Sequence, residues 1–139
     1  MAKTKGLVIK ERTVGESDRL VTLLTADYGL VNAFVRNAKQ LKNKLSASTS
    51  LFAYCEFSIY QGRDANVVDN ATVIEMFFDL RSDIEKLAVA QYFAQLAYEL
   101  ANEGQPEEEM LSIILNSLHL LCKGGKSIVQ IKSVVEFRL

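Results

Sequence analysis

The sequence predicts an α+β chain in which five short β-strands close into a small barrel and helices follow. Three features predict it. Residues 1–75 break into short β-branched or alternating runs divided by turn signals, the apolar period lengthens near residue 80, and an irregular basic segment separates the third run from the fourth.

The first run, GLVIKERTVG (6–15), is β-branched and then polar, and DRLVTLLTA (18–26) alternates in part. DYG (27–29) is a turn signal before LVNAFVR (30–36). The clearest strand is LFAYCEFSIY (51–60). Leu51, Ala53, Cys55, Phe57 and Ile59 lie on one face, and Phe52, Tyr54, Glu56, Ser58 and Tyr60 on the other. QGRDAN (61–66) is a turn into VVDNATVIE (67–75). Three strands, a basic connection and two more strands are the layout of an oligonucleotide-binding (OB) barrel. A β-sandwich fragment competes, but five strands are few for it.

The helical part opens at LRSDIEKLAVAQYFAQLAYELANEG (80–104), where Ser82 and Glu85 have capping-box spacing. Ile84, Leu87, Val89, Phe93, Leu96, Ala97 and Leu100 fill more than a narrow stripe, so this helix is expected to be largely buried, with Gly104 as its stop. A second helix spans 106–125, with Pro106 in its first turn and Glu107, Glu108 and Glu109 against the positive helix end. Its apolar face is Met110, Ile114, Leu118 and Leu121, and Lys123 with the Gly124–Gly125 pair closes it. A third helix starts near Ser127 and carries Ile128, Ile131 and Val135 on one face. It shows no stop signal before Leu139, so a cut chain is expected. The expected division is an OB-type DNA-binding domain over 1–78 and a truncated helical domain over 79–139.

Composition bounds the function classes. Of 139 residues 49% are apolar and 24% charged, with Gly 7 and Pro 1, which fits a folded domain rather than a disordered chain. Cys55 and Cys122 are far apart without a CxxC partner and read as buried apolar residues in a reducing compartment. No apolar run approaches the roughly 18 residues of a membrane span. The opening MAKTKGLVIKERT meets charge at Lys10, too soon for a signal-peptide core, and a soluble cytoplasmic protein is expected.

Charge is distributed unevenly. Residues 1–63 hold ten Lys/Arg against five Asp/Glu, whereas residues 64–139 hold six against twelve, for a net charge of −1. Either one half meets a polyanion or two subdomains have unlike surfaces. Within VRNAKQLKNKLSASTS (35–50) the cations Arg36, Lys39, Lys42 and Lys44 stand with no acid among them. Phosphate binding requires several cations in one groove without competing acids, and a merely solvated loop more often mixes its signs. Lys10, Arg12 and Arg19 come from earlier strands and are secondary candidates. Phe52, Tyr54 and Tyr60 share a strand face, where they either stack bases or pack against the helices.

Nothing looks catalytic. His119 is the only histidine, sits between leucines without a nearby ligand set, and reads as a core or half-buried residue. No phosphate-binding GxxxxGK[ST], GxGxxG or HExxH motif is present. No cofactor or metal is expected.

GLVIKERTVGESDRLVTLLTADYG (6–29) resembles the opening of the RecO family of bacterial recombinational DNA-repair proteins, most closely in GESD at Gly15–Asp18, then Thr25 and Gly29. The family's next feature is a short basic loop after the third strand. Here that place holds residues 36–44, with Asn37 where the family often has glycine and Asn43 where it often has serine. FFDLRSDIEKLAVAQYFAQLAYEL (77–100) is similar to the family's helical stretch after the barrel. The resemblance implies an OB fold packed on a helical domain, binding of single- and double-stranded DNA, and annealing of complementary strands. It also implies action with RecR to help RecA load on strands coated by single-strand-binding protein, in the bacterial cytoplasm at the nucleoid. Many members carry a four-cysteine zinc module downstream, and none of those cysteines is present here. Two other readings stand beside it. One is a scaffold that docks a repair partner such as RecR through the barrel, with little DNA binding of its own. The other is an RNA binder of the same fold.

Overall fold

Leu7, Val8 and Ile9 follow one another in the first strand, and all three are buried. Consecutive strand residues point to opposite faces, so both faces of that strand must be covered. The computed structural model, which describes residues 2–38, 45–63, 65–124 and 127–139, shows what covers them. Strands β1 (Ala2–Val14), β2 (Asp18–Thr25), β3 (Gly29–Val35), β4 (Tyr54–Gln61) and β5 (Asn66–Glu75) form a closed barrel in the order β1-β2-β3-β5-β4. Neighbours are antiparallel except at the closing seam, where β3 and β5 run parallel through Ala33–Asn66 and Phe34–Val67. A short helix α1 (Leu45–Ser48) precedes β4, and helices α2 (Ile84–Leu100), α3 (Glu108–Lys123) and α4 (Ile128–Arg138) follow β5 after a 3-10 turn at Phe78–Ser82. This is the predicted α+β architecture of OB barrel and helices.

Two apolar cores result. Val8, Val21, Leu23, Val35, Cys55, Phe57 and Ile59 fill the barrel. Leu7, Ile9 and Leu24 point outward from β1 and β2 into a second core with Phe93 and Ala97 of α2, Leu118 of α3 and Ile131 of α4. The barrel wall is thus sandwiched, which explains the unbroken apolar run of β1. Gly29 joins the two parts: Leu30 N–H donates to Asn102 O at 2.9 Å, Gly104 N–H to Tyr28 O at 2.9 Å and Glu107 N–H to Ala26 O at 3.1 Å. These bonds dock the β2–β3 turn on the α2–α3 connection.

Several local expectations need correction. The cap of α2 is Asp83, whose carboxylate accepts from Glu85 and Lys86 N–H, while Ser82 donates back to Asp79 O within the 3-10 turn. Both residues are good caps, and the intervening turn decides which one stands at the boundary. The face of α2 buried at its core is narrower than expected: Ala90, Phe93, Ala94 and Ala97 are buried, but Ile84 and Leu100 are exposed. Helix α3 begins at Glu108, and Glu107 instead accepts from the backbone N–H and side-chain amide of Asn102, at 3.0 and 3.1 Å, tying the connection together. Helix α4 starts as expected, with a capping box between Ser127 and Gln130. Gly124 closes α3 at φ +70°, while Gly125 lies outside the described residues. The fourth strand begins at Tyr54 rather than Leu51, because Phe52 adopts φ +68° and turns its ring into the helical core. Its N–H still donates to Val8 O at 2.9 Å.

Candidate nucleic-acid interface

The basic segment enters and leaves through the barrel. At its start, Val35 and Ala38 are buried in the barrel core, and Arg36 between them is exposed. At its end, Leu45 of α1 returns to the same core. Lys39, Lys42 and Lys44 lie outside the described residues. Both flanks are therefore set by barrel packing.

Arg36 lines a groove of about 320 Å³ together with Asp18, Phe34, Gly62, Arg63, Ala65 and Val67. Arg63, on the β4–β5 turn, was missed by sequence reasoning. Its signal, a cation in a turn, was visible, but only the closure of β3 on β5 brings that turn beside Arg36.

The cations of the earlier strands go elsewhere. The ammonium of Lys10 lies over the Tyr98 ring of α2, 4.4 Å from its centre, facing the helical part. Arg12, opposite Leu20 across the β1–β2 ladder, is exposed. Arg19 has a side chain only 17% exposed, with Glu11 at 3.9 Å. Its Nη1 donates to Ser46 O at 2.7 Å and to Thr49 Oγ1 at 2.9 Å.

The aromatic face divides. Phe52 is buried and Tyr54 packs against the helical core, where burial pushes its hydroxyl pKa up. Both serve packing rather than base stacking. Tyr60 is half-buried and lines a larger groove of about 700 Å³ with Tyr28, Asn32, Gln61 and Asn66.

His119 is more exposed than expected and sets its ring edgewise against Phe77, 4.9 Å between centres. Among the described residues no group of His, Cys, Asp or Glu is arranged to hold a metal ion. None of the described helices is long and apolar enough to cross a membrane. Cys122 is half-buried, and Cys55 is buried with its Sγ donating to Ser48 O at 3.3 Å. Burial pushes the Cys55 thiol up to about 11. The unfolded thiol ionises first, so Cys55 contributes stability fully below its ordinary value of 9.0 and loses it as pH rises through about 11. At pH 8 Cys55 is expected to resist alkylation in the native chain and react on unfolding. Mass spectrometry after iodoacetamide treatment checks this, and native modification of Cys55 as fast as that of Cys122 would refute it.

Comparison with known proteins gives this geometry a context. Residues 1–77 match the model of the recombination protein O N-terminal region, and residues 81–139 match that of its C-terminal region. The chain belongs to the RecO family. It is similar to the DNA repair protein RecO of Acetivibrio thermocellus, 39% identical over 99% of this chain and 55% of the relative. It is also similar to the RecO of Caldicellulosiruptor bescii, 36% identical over 89% of this chain and 51% of that protein. For the RecO of Alkaliphilus metalliredigens the identity is 30%, over 100% of this chain and 56% of the relative. The chain spans about half the length of these curated relatives.

The structure supplies physical reasons for the RecO-like residues. Gly15 turns at φ +64°. Thr25, fully buried, donates to Gly29 O at 2.8 Å and accepts from Tyr28 N–H at 3.1 Å, which closes the β2–β3 turn. Asn37, standing where RecO proteins often have glycine, adopts φ +56°. Asparagine is among the few other residues that accept this left-handed conformation readily.

Proposed function

We infer that this chain is a DNA-binding and strand-annealing module of recombinational repair. The observation that carries this is the acid-free basic segment at residues 36–44, flanked on both sides by residues packed inside an OB-type barrel, in a RecO-family chain. Arg36, Lys39, Lys42 and Lys44 are its main phosphate contacts, with Arg12 and Lys10 secondary. Arg63 joins the set because it shares a groove with Arg36. The barrel, residues 1–78, is the binding domain, and residues 79–139 are a helical domain packed on it. In the cell the module acts at the bacterial nucleoid with RecR, helping RecA load on strands coated by single-strand-binding protein.

Annealing requires no bond chemistry, and no catalytic group is assigned. A protein that neutralises phosphates on two strands lowers their mutual repulsion and raises their encounter rate, while base pairing supplies the sequence specificity.

Four single-strand phosphate contacts give an affinity whose logarithm falls with log salt at a slope of about −3, from roughly −0.7 per contact. Fluorescence anisotropy on a labelled oligonucleotide measures the slope. Replacing Lys39, Lys42 and Lys44 with alanine is expected to flatten it to about −0.7. A salt-independent affinity, or an unchanged slope in the triple variant, would remove the segment from the binding site.

A further inference from the structure

Asp18 and Arg19 are consecutive residues at the start of β2, and their side chains engage opposite flanks of the basic segment. The Asp18 carboxylate accepts from the backbone N–H of Asn37 at 2.9 Å, on the side where the segment leaves β3. Ser17 adds a longer bond, its hydroxyl donating to Asn37 Oδ1 at 3.4 Å. Arg19 donates to Ser46 O and Thr49 Oγ1, on the side where the segment enters α1 and β4. Thr49 is itself fully buried and hydrogen-bonded to Leu45 O, so the acceptor that Arg19 meets is held rigidly.

We propose that Asp18 and Arg19 are positioning residues which clamp the two flanks of the basic segment and thereby set where its cations meet phosphate. The proposal rests on the DNA-binding reading above. The physical reason is preorganisation. A segment whose ends are fixed has fewer arrangements to lose when it binds, so more of each phosphate contact appears as affinity. The clamp comes from the turn beginning at Gly15, which gives GESD and the arginine after it one shared task. Asp18 makes the clamp distinguishable from simple electrostatics. A carboxylate beside a cationic segment repels phosphate, so on charge alone its removal tightens binding; as a clamp, its removal loosens binding.

The test is anisotropy of a labelled single-stranded oligonucleotide at fixed low salt, on the chain and its variants, well below each melting temperature. Asp18→Ala is expected to weaken binding about fivefold despite removing a negative charge. Asp18→Asn makes the same charge change but keeps an acceptor oxygen, and is expected to restore the affinity. Arg19→Lys is expected to behave like Arg19→Ala, because one ammonium does not reproduce the guanidinium's bonds to two acceptors. If Arg19→Ala fails to fold, Thr49→Val removes one of those acceptors at similar size and is expected to weaken binding in the same direction. Equal or tighter binding by Asp18→Ala, with the triple-lysine variant still defective, would overturn the clamp and leave the DNA-binding reading standing. Unchanged binding by the triple-lysine variant would overturn both. Full rescue by Arg19→Lys would assign Arg19 a direct phosphate contact instead.

Discussion

Gly29→Ala is expected to destabilise the chain by about 3 kcal/mol or more, from backbone strain and a steric clash acting together. Gly29 has φ +67°, and a Cβ built there would sit 2.0 Å from Asn102 O and 2.6 Å from Gln105 O. Both atoms are backbone, so no side-chain rotation relieves the overlap. The α2–α3 connection must move away, taking with it the bonds from Leu30 to Asn102 and from Gly104 to Tyr28. Gly15 is the internal comparison. It has nearly the same φ, +64°, but nothing within 4 Å of its Cβ position. Gly15→Ala is therefore expected to cost only the conformational penalty, about 1–2 kcal/mol. Urea unfolding followed by circular dichroism measures both. Equal losses in the two variants would mean that the barrel and helical parts are not held together at this point.

Phe93→Ala is expected to cost about 3–5 kcal/mol, the range for deleting a buried phenyl ring and leaving a cavity. Phe93 is fully buried on α2, in the core shared with Leu7, Ile9 and Leu24 of the barrel wall. Its loss weakens the seam between barrel and helices rather than the barrel interior. Ile84 on the same helix is 89% exposed, and Ile84→Ala is expected to stay within about 0.5 kcal/mol. A loss below about 1.5 kcal/mol for Phe93→Ala would mean that the seam collapses around the missing ring.

Much of the barrel was legible in the chain. The strands around Val21, Phe57 and Val68 show β-branched and aromatic runs between turn signals, and the residues of β4 from Ala53 to Ile59 on the predicted face do fill the interior. Of the candidate interface, the basic segment itself was legible because charge needs no folding to be seen. Its surroundings were not. Arg19 looked like one more surface cation until α1 was found folded against it. Arg63 looked like an isolated turn residue until the β3–β5 seam set it beside Arg36.

By itself the sequence determined the order of elements, the change from strand to helix period near residue 80, and the place of the cationic segment between the third and fourth strands. These depend on neighbours along the chain: side-chain periodicity, turn residues and local charge. The tertiary structure decided which faces are covered, and by what. Period-two alternation separates Phe52 and Tyr54 from Ala53 and Cys55, but it does not say that both sets are packed, one against helices and one inside a barrel. The tertiary structure also chose Asp83 over Ser82 as a cap, exposed Ile84, and gave Arg19 its partners in α1 and Thr49. Each of these outcomes depends on residues brought together only when the barrel closes and the helices dock.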